Sequence, residues 1–203
     1  MEKERRSVLY ALIRVASENA CYDEENMERV RYNCRIVTEA MQLSATYDHL
    51  ISDSYIDTIE LAAPLCDLGN VAISTDILQK QGALTLEEST IVKNHTAIGA
   101  RILKDVGEAG NENGFIRMAI EIAHYHHENW DGTGYPEGKK GEEIPLSAQI
   151  VAVVSAYCAL TEKRSYREAF STERALEIME ADAGKKYNPE IIRILKKIVR
   201  QLH

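Results

Sequence analysis

Apolar residues recur at helical spacing along almost the whole of this 203-residue chain, and no stretch alternates as a strand would. Val8, Leu9, Leu12, Ile13 and Val15 form one stripe, and Val30, Ile36, Val37, Ala40 and Met41 form another. A third apolar run, Ile56 to Leu68, ends at Gly69, a residue suited to close a helix. Thr85, with Glu88 three residues on, has capping-box chemistry and predicts a helix to about Asp105, with Ile91, Ile98 and Ile102 turned inward. Asn111 to Gly114 reads as a loop and Phe115 to His126 as a helix. Asp131 to Pro145 carries four glycines and two prolines, so an ordered turn region is expected there. Pro145 opens an apolar helix through Leu160, and Ser171 and Asn188-Pro189 open the last two. No internal repeat or low-complexity linker interrupts the pattern. The expectation is all-α, a single helical domain over residues 1–203.

A hydrophobic content of 45% is ordinary for a chain with a proper core. The formal charge of -8 argues against a general DNA or RNA binder, which needs a positive surface. No apolar run approaches the roughly 20 residues that span a bilayer, and Met1 to Arg6 is not a signal peptide. Cys21, Cys34, Cys66 and Cys158 show no paired spacing and read as reduced thiols. A cytoplasmic location is expected.

The segment His126-His127-Glu128-Asn129-Trp130-Asp131-Gly132-Thr133-Gly134-Tyr135-Pro136 is hard to explain by packing alone. Imidazole is the commonest metal ligand at neutral pH. With Asp67 after one apolar run and His95 within another, the pair offers one carboxylate and three imidazoles, a set suited to iron, manganese or zinc. Taken singly, each has a plainer role: Asp67 could cap a turn, and His95 could be an exposed residue beside Asn94.

In order, Leu65-Cys66-Asp67-Leu68-Gly69-Asn70, Asn94 to Gly99, His126 to Pro136, Ile144 to Ala148, Val154 to Leu160 and Arg164-Ser165-Tyr166-Arg167 resemble an HD-GYP domain, a helical member of the metal-dependent phosphohydrolases. The match runs from about Val8 to Ile198. The resemblance implies an HD-type helical bundle with an ordered Gly-rich loop. It also implies hydrolysis of cyclic di-GMP at a site of two or three metals.

The chain departs from that family at five positions. The signature His-Asp pair reads Cys66-Asp67, and the lysine that follows it is Asn70. An upstream histidine ligand is Asn26, and a late aspartate ligand is Ser155, with Cys158 at the second aspartate of that motif. In the family one ion uses the upstream histidine, the His-Asp pair and the late aspartate. Its neighbour resembles a set made of Asp67, His95, His126 and His127, all present here. One retained site beside one dismantled site is therefore expected, holding one divalent metal (iron, manganese or zinc) or none. Asp67 would be the catalytic carboxylate if hydrolysis survives.

Cys66 with Cys158 could build a softer zinc site, but a cysteine after Pro64-Leu65 fits better as a buried thiol. Arg164 and Arg167 stand where the family grips nucleotide phosphates, or form a solvated pair offset by Glu162 and Glu168. Tyr135 could stack on a guanine, while Trp130 reads as a staple for the loop. His49, His124 and His203 match no ligand position and are expected at the surface. The resulting expectation is a degenerate domain that binds a cyclic dinucleotide, or a diguanylate cyclase-type partner through Gly134, Tyr135 and Pro136, with a homodimer possible. Active hydrolysis with a reduced site is the alternative.

Overall fold

The structure, a computed structural model, describes Ala11 and residues 24–110, 114–163 and 168–203. The stripe from Val8 to Val15, Cys21, and both Arg164 and Arg167 fall outside the described residues. The helices are α1 (Glu24–Gln42), α2 (Asp53–Ala62), α3 (Thr75–Leu78), α4 (Leu86–Lys93), α5 (His95–Gly110), α6 (Gly114–Tyr125), α7 (Leu146–Thr161), α8 (Thr172–Ala181) and α9 (Pro189–Ile198). Among the described residues no strand forms; Ala183 and Tyr187 make an isolated bridge. No described helix is long and apolar enough to cross a membrane.

The amphipathic stripes meet in one core. Cys34, Val37 and Met41 of α1 face α2 and α7, and Ala119, Ile122 and Ala123 of α6 close the layer beside α2. Helix α7 is apolar on nearly every face, a pattern only an enclosed helix tolerates. Ala148, Ile150, Val151, Val153, Val154 and Cys158 are accordingly buried completely. Each large side chain so enclosed contributes about 1.5–3 kcal/mol. Helices α8 and α9 cover α7 through Ala175, Met179, Ile191 and Leu195.

The expected caps are formed. Thr85 Oγ1 accepts from the Glu88 N–H at 3.1 Å while Glu88 Oε2 accepts from the Thr85 N–H at 2.7 Å. Ser171 accepts from Arg174 N at 3.2 Å, and Asn188 from Glu190 N at 2.9 Å with Pro189 in the first turn. Two boundaries differ from expectation. The run from Ile56 to Leu68 is not one helix: α2 stops at Ala62, and 310 turns follow at Ala63–Leu65 and Leu68–Ala72. Pro64 has no N–H for an α-helical bond and its ring clashes with the preceding turn. The helix expected from Thr85 to Asp105 breaks at Asn94, and Ile91 is 42% exposed rather than inward. The four-residue helix α3 had no sequence signal.

A backbone contact sets the distance between the Asp67 turn and α5. A Cβ on Gly69 would lie 1.9 Å from the His95 carbonyl oxygen, and one on Gly99 3.1 Å from Gly69 N. Gly69→Ala must therefore push two backbone segments apart. The expected loss of stability is about 3 kcal/mol, the upper range for overpacking, read as a lower urea midpoint at unchanged slope. A change under about 0.5 kcal/mol, the size of a neutral surface substitution, would mean the contact is not held.

Candidate metal centre

Three separate elements deliver the ligand atoms. Asp67 stands between the two 310 turns with φ -98° and ψ 13°, and its carbonyl accepts from Asn70 N. His95 is the first residue of α5, brought to Asp67 by the Gly69–Gly99 approach. His126 and His127 follow the last turn of α6. One ligand atom from each of Asp67, His95, His126 and His127 lies within 4.8 Å of the others. No other described group of three or more histidine, cysteine or acidic side chains gathers in this way, and neither Cys66 nor Cys158 belongs to the cluster.

Protons in this group can be placed by their partners. His95 Nδ1 is 2.7 Å from the Val92 carbonyl, and His126 Nδ1 is 2.9 Å from the Ile122 carbonyl. A carbonyl only accepts, so both Nδ1 atoms carry hydrogen and both Nε2 atoms of the neutral rings present lone pairs. Those Nε2 atoms lie 3.5 Å apart, and 3.3 and 3.7 Å from Asp67 Oδ1. Two lone pairs and a carboxylate oxygen facing one another repel unless a cation lies among them. Imidazoles anchored through Nδ1–H to backbone carbonyls are also the usual outer shell of metal-bound histidine. The donor set fits a divalent ion.

Electrostatics favour the ligating protonation states of His95, His127 and Asp67. Burial, and then the neighbouring His126, pushes His127 down to about 2 against the pull of Asp67. Burial likewise lowers His95. Burial would raise Asp67, but the imidazole of His126 beside it, with His95 and His127, outweighs this and holds the carboxyl below its usual range. Because 47% of the Asp67 side chain is open to the cleft, the burial penalty is milder than full enclosure would impose. Neutral imidazoles and an ionised carboxylate are the forms that bind metal.

Four of the departures from the family pattern, Asn26, Cys66, Asn70 and Ser155, line the same cleft, of about 640 Å³, as Asp67, His126 and His127; Cys158 does not. Cys66 is buried, and burial followed by the charge of Asp67 raises its thiol. Its Sγ donates to Asp67 Oδ2 at 3.7 Å, so the carboxylate faces imidazoles with one oxygen and a thiol with the other. Asn26 Oδ1 and Asn70 Oδ1 are buried without hydrogen-bond partners, and Ser155 Oγ reaches only the Ala152 carbonyl at 3.4 Å. No carboxylate or imidazole stands on that side at these positions.

The Gly-rich turn is folded back onto the histidines. Tyr135 N donates to the His127 carbonyl at 3.1 Å, which lays the Tyr135 ring on His127 at 4.8 Å and 19°. Gly134 permits this, because a Cβ there would meet Asn129 N at 2.2 Å and Glu128 Cα at 2.5 Å. Pro136 is exposed and outside the cleft lining. The Trp130 N–H donates to Lys186 O at 3.1 Å and that of Asp131 to Lys185 O at 2.8 Å, pinning the turn to the segment before α9.

Glu128 has a role the sequence reading missed. It is 3% exposed, and Oε1 accepts from the N–H groups of Glu137 and Gly138 at 2.7 and 3.1 Å. An acid directly after two histidines and before four glycines was the available signal. Of the histidines expected at the surface, His49 and His203 are exposed, but His124 is half-buried and 3.2 Å from Glu137.

A family model described as HD domain matches residues 18–191. The chain is 35% identical over 193 residues to a probable cyclic di-GMP phosphodiesterase of Vibrio cholerae serotype O1, covering 95% of this chain and 44% of that protein. It is 35% identical over 202 residues to the cyclic di-GMP phosphodiesterase response regulator RpfG of Xanthomonas campestris pv. campestris, covering 100% of this chain and 50% of that protein. The chain thus spans half or less of these curated relatives. Its fold is shared, at a TM-score of 0.62 and 19% identity, with a structure described as a HDG"Y"P protein from Bdellovibrio bacteriovorus, over 86% of this chain and 52% of that one. With the family model spanning most of the chain and the turn from His126 to Pro136 folded against Asp67, the chain belongs to the HD-domain family, in its HD-GYP branch.

Proposed function

We propose that this domain binds a cyclic dinucleotide beside a single divalent ion held by Asp67, His95, His126 and His127, and that it hydrolyses its ligand slowly or not at all. One observation carries the reading. The four replaced positions lie together in the cleft, on neutral side chains, while the four retained ligand atoms converge. A divalent ion bound to the retained set would polarise a phosphoryl oxygen as a Lewis acid. The chain's own contribution is to orient the His95 and His126 rings through Val92 O and Ile122 O, and to keep Asp67 ionised. Tyr135 lines the cleft with its ring fixed on His127, a surface against which a base could pack. Arg164 and Arg167 belong to the proposal as phosphate-binding residues on the sequence pattern alone. The exposed Pro136 end of the turn is offered in the same reading to a diguanylate cyclase-type partner.

A second reading, active phosphodiesterase, is favoured by the complete retained ligand set and by the relatives named as cyclic di-GMP phosphodiesterases. One assay separates the two. Protein purified without oxygen and loaded with iron or manganese is incubated with cyclic di-GMP, and linear product is followed. The proposal expects metal uptake and nucleotide binding with little or no product. Multiple turnovers that vanish in His126→Ala would overturn it in favour of the enzyme.

A further inference from the structure

We infer that Lys93 is an anion-recognising cation of this cleft, meeting a phosphate group seated beside the Asp67–His95–His126–His127 cluster. This rests in part on the functional reading above, since it names the residue that would receive the dinucleotide's phosphate. Lys93 ends α4 and lines the same cleft as Asp67 and the two histidines. Its Nζ stands 5.2 Å from the centroid of the Tyr135 ring, and Tyr135 is stacked on His127. The Tyr135 ring thus stands between the ammonium and His127, a member of the cluster. Cation–ring attraction holds the charge there without neutralising it.

The other charges of the cleft are committed. Lys186 also lines it, but pairs with Asp182 at 2.7 Å. Asp67 faces the imidazoles, and Glu128 is bound through Oε1 to the turn amides, with Oε2 buried and unpartnered. Among the described residues Lys93 has no ion pair, and its ammonium lies over the Tyr135 ring. Its place at the end of α4 is favourable for a cation, since the helix dipole is negative there. An unneutralised ammonium beside a metal-ligand set is the arrangement that draws a phosphodiester or phosphate, a doubly suited anion with oxygens for both.

The test is calorimetric binding of two probes, cyclic di-GMP and inorganic phosphate, to manganese-loaded protein. Lys93→Gln should weaken both by about tenfold, the scale of one charge-assisted hydrogen bond. Lys93→Arg should stay within about threefold of wild type, and raising salt should weaken the wild type more than Lys93→Gln. Metal content and melting temperature should not move, which a merely structural lysine would not guarantee. Binding of both probes within about twofold of wild type in Lys93→Gln, or loss of metal from that variant, overturns the inference. If phosphate binding depends on Lys93 while wild type ignores cyclic di-GMP, the lysine assignment stands and the dinucleotide reading falls.

Discussion

His126→Ala protein is expected to lose metal affinity by at least about 10–100-fold, the range already seen when only a supporting partner of a metal ligand is removed. After desalting, its metal content by mass spectrometry should fall to a small fraction of wild type. The reason is local. His126 Nε2 lies 3.5 Å from His95 Nε2 and 3.7 Å from Asp67 Oδ1, so its removal opens the cluster on the side where two other donors face each other. The fold should survive, because the His126 side chain's hydrogen bond to the Ile122 carbonyl lies at the end of α6 and the core residues Ile122 and Ala123 are untouched. His124→Ala is the matched control: it removes an imidazole two residues away that pairs with Glu137 and not with the cluster. Equal metal content in wild type and His126→Ala would remove the cluster as a metal centre.

Much of the scaffold was legible in the residues, for identifiable reasons. Thr85, Ser171 and Asn188 act as caps because capping is chemistry between neighbours two or three residues apart, which a sequence displays directly. The all-apolar α7 could only be enclosed. The break at Asn94 was not legible, since Ile91 and Ile98 are spaced as one continuous face and only the packing of α5 decides otherwise. Pro64 was legible in principle; its missing N–H outweighs the apolar run around it. For the site, residue types named the candidate ligands but not their meeting. Convergence depends on Gly69 and Gly99 touching through backbone, a long-range contact with no local pattern. The same holds for Lys93 over Tyr135, which joins the end of α4 to a turn about forty residues later.

Rebuilding the missing donors should produce the largest gain of all: Asn26→His, Cys66→His, Asn70→Lys and Ser155→Asp together are expected to raise cyclic di-GMP hydrolysis by about 100-fold or more. That is the scale of restoring a single electrostatic donor at a reacting centre, and several are restored at once. The cleft already holds the four positions around Asp67. Little is lost in replacing them. Asn26 Oδ1 and Asn70 Oδ1 have no partners to forfeit, and Ser155 gives up only a long contact to Ala152 O. Cys66 is the demanding site, because it is buried and its thiol occupies Asp67 Oδ2. Replacing it frees that oxygen for a second ion, so metal content should rise from about one to about two per chain, the count a paired clamp on phosphoryl transfer requires. The two readouts divide the outcomes. Metal rising without turnover would locate the deficit outside these four residues. Turnover rising without metal would mean that Asn70→Lys alone supplied the missing charge. If neither rises in a protein that still melts cooperatively, the neutral side of the cleft is not a vacated metal site, and its unpartnered amides must serve the ligand itself.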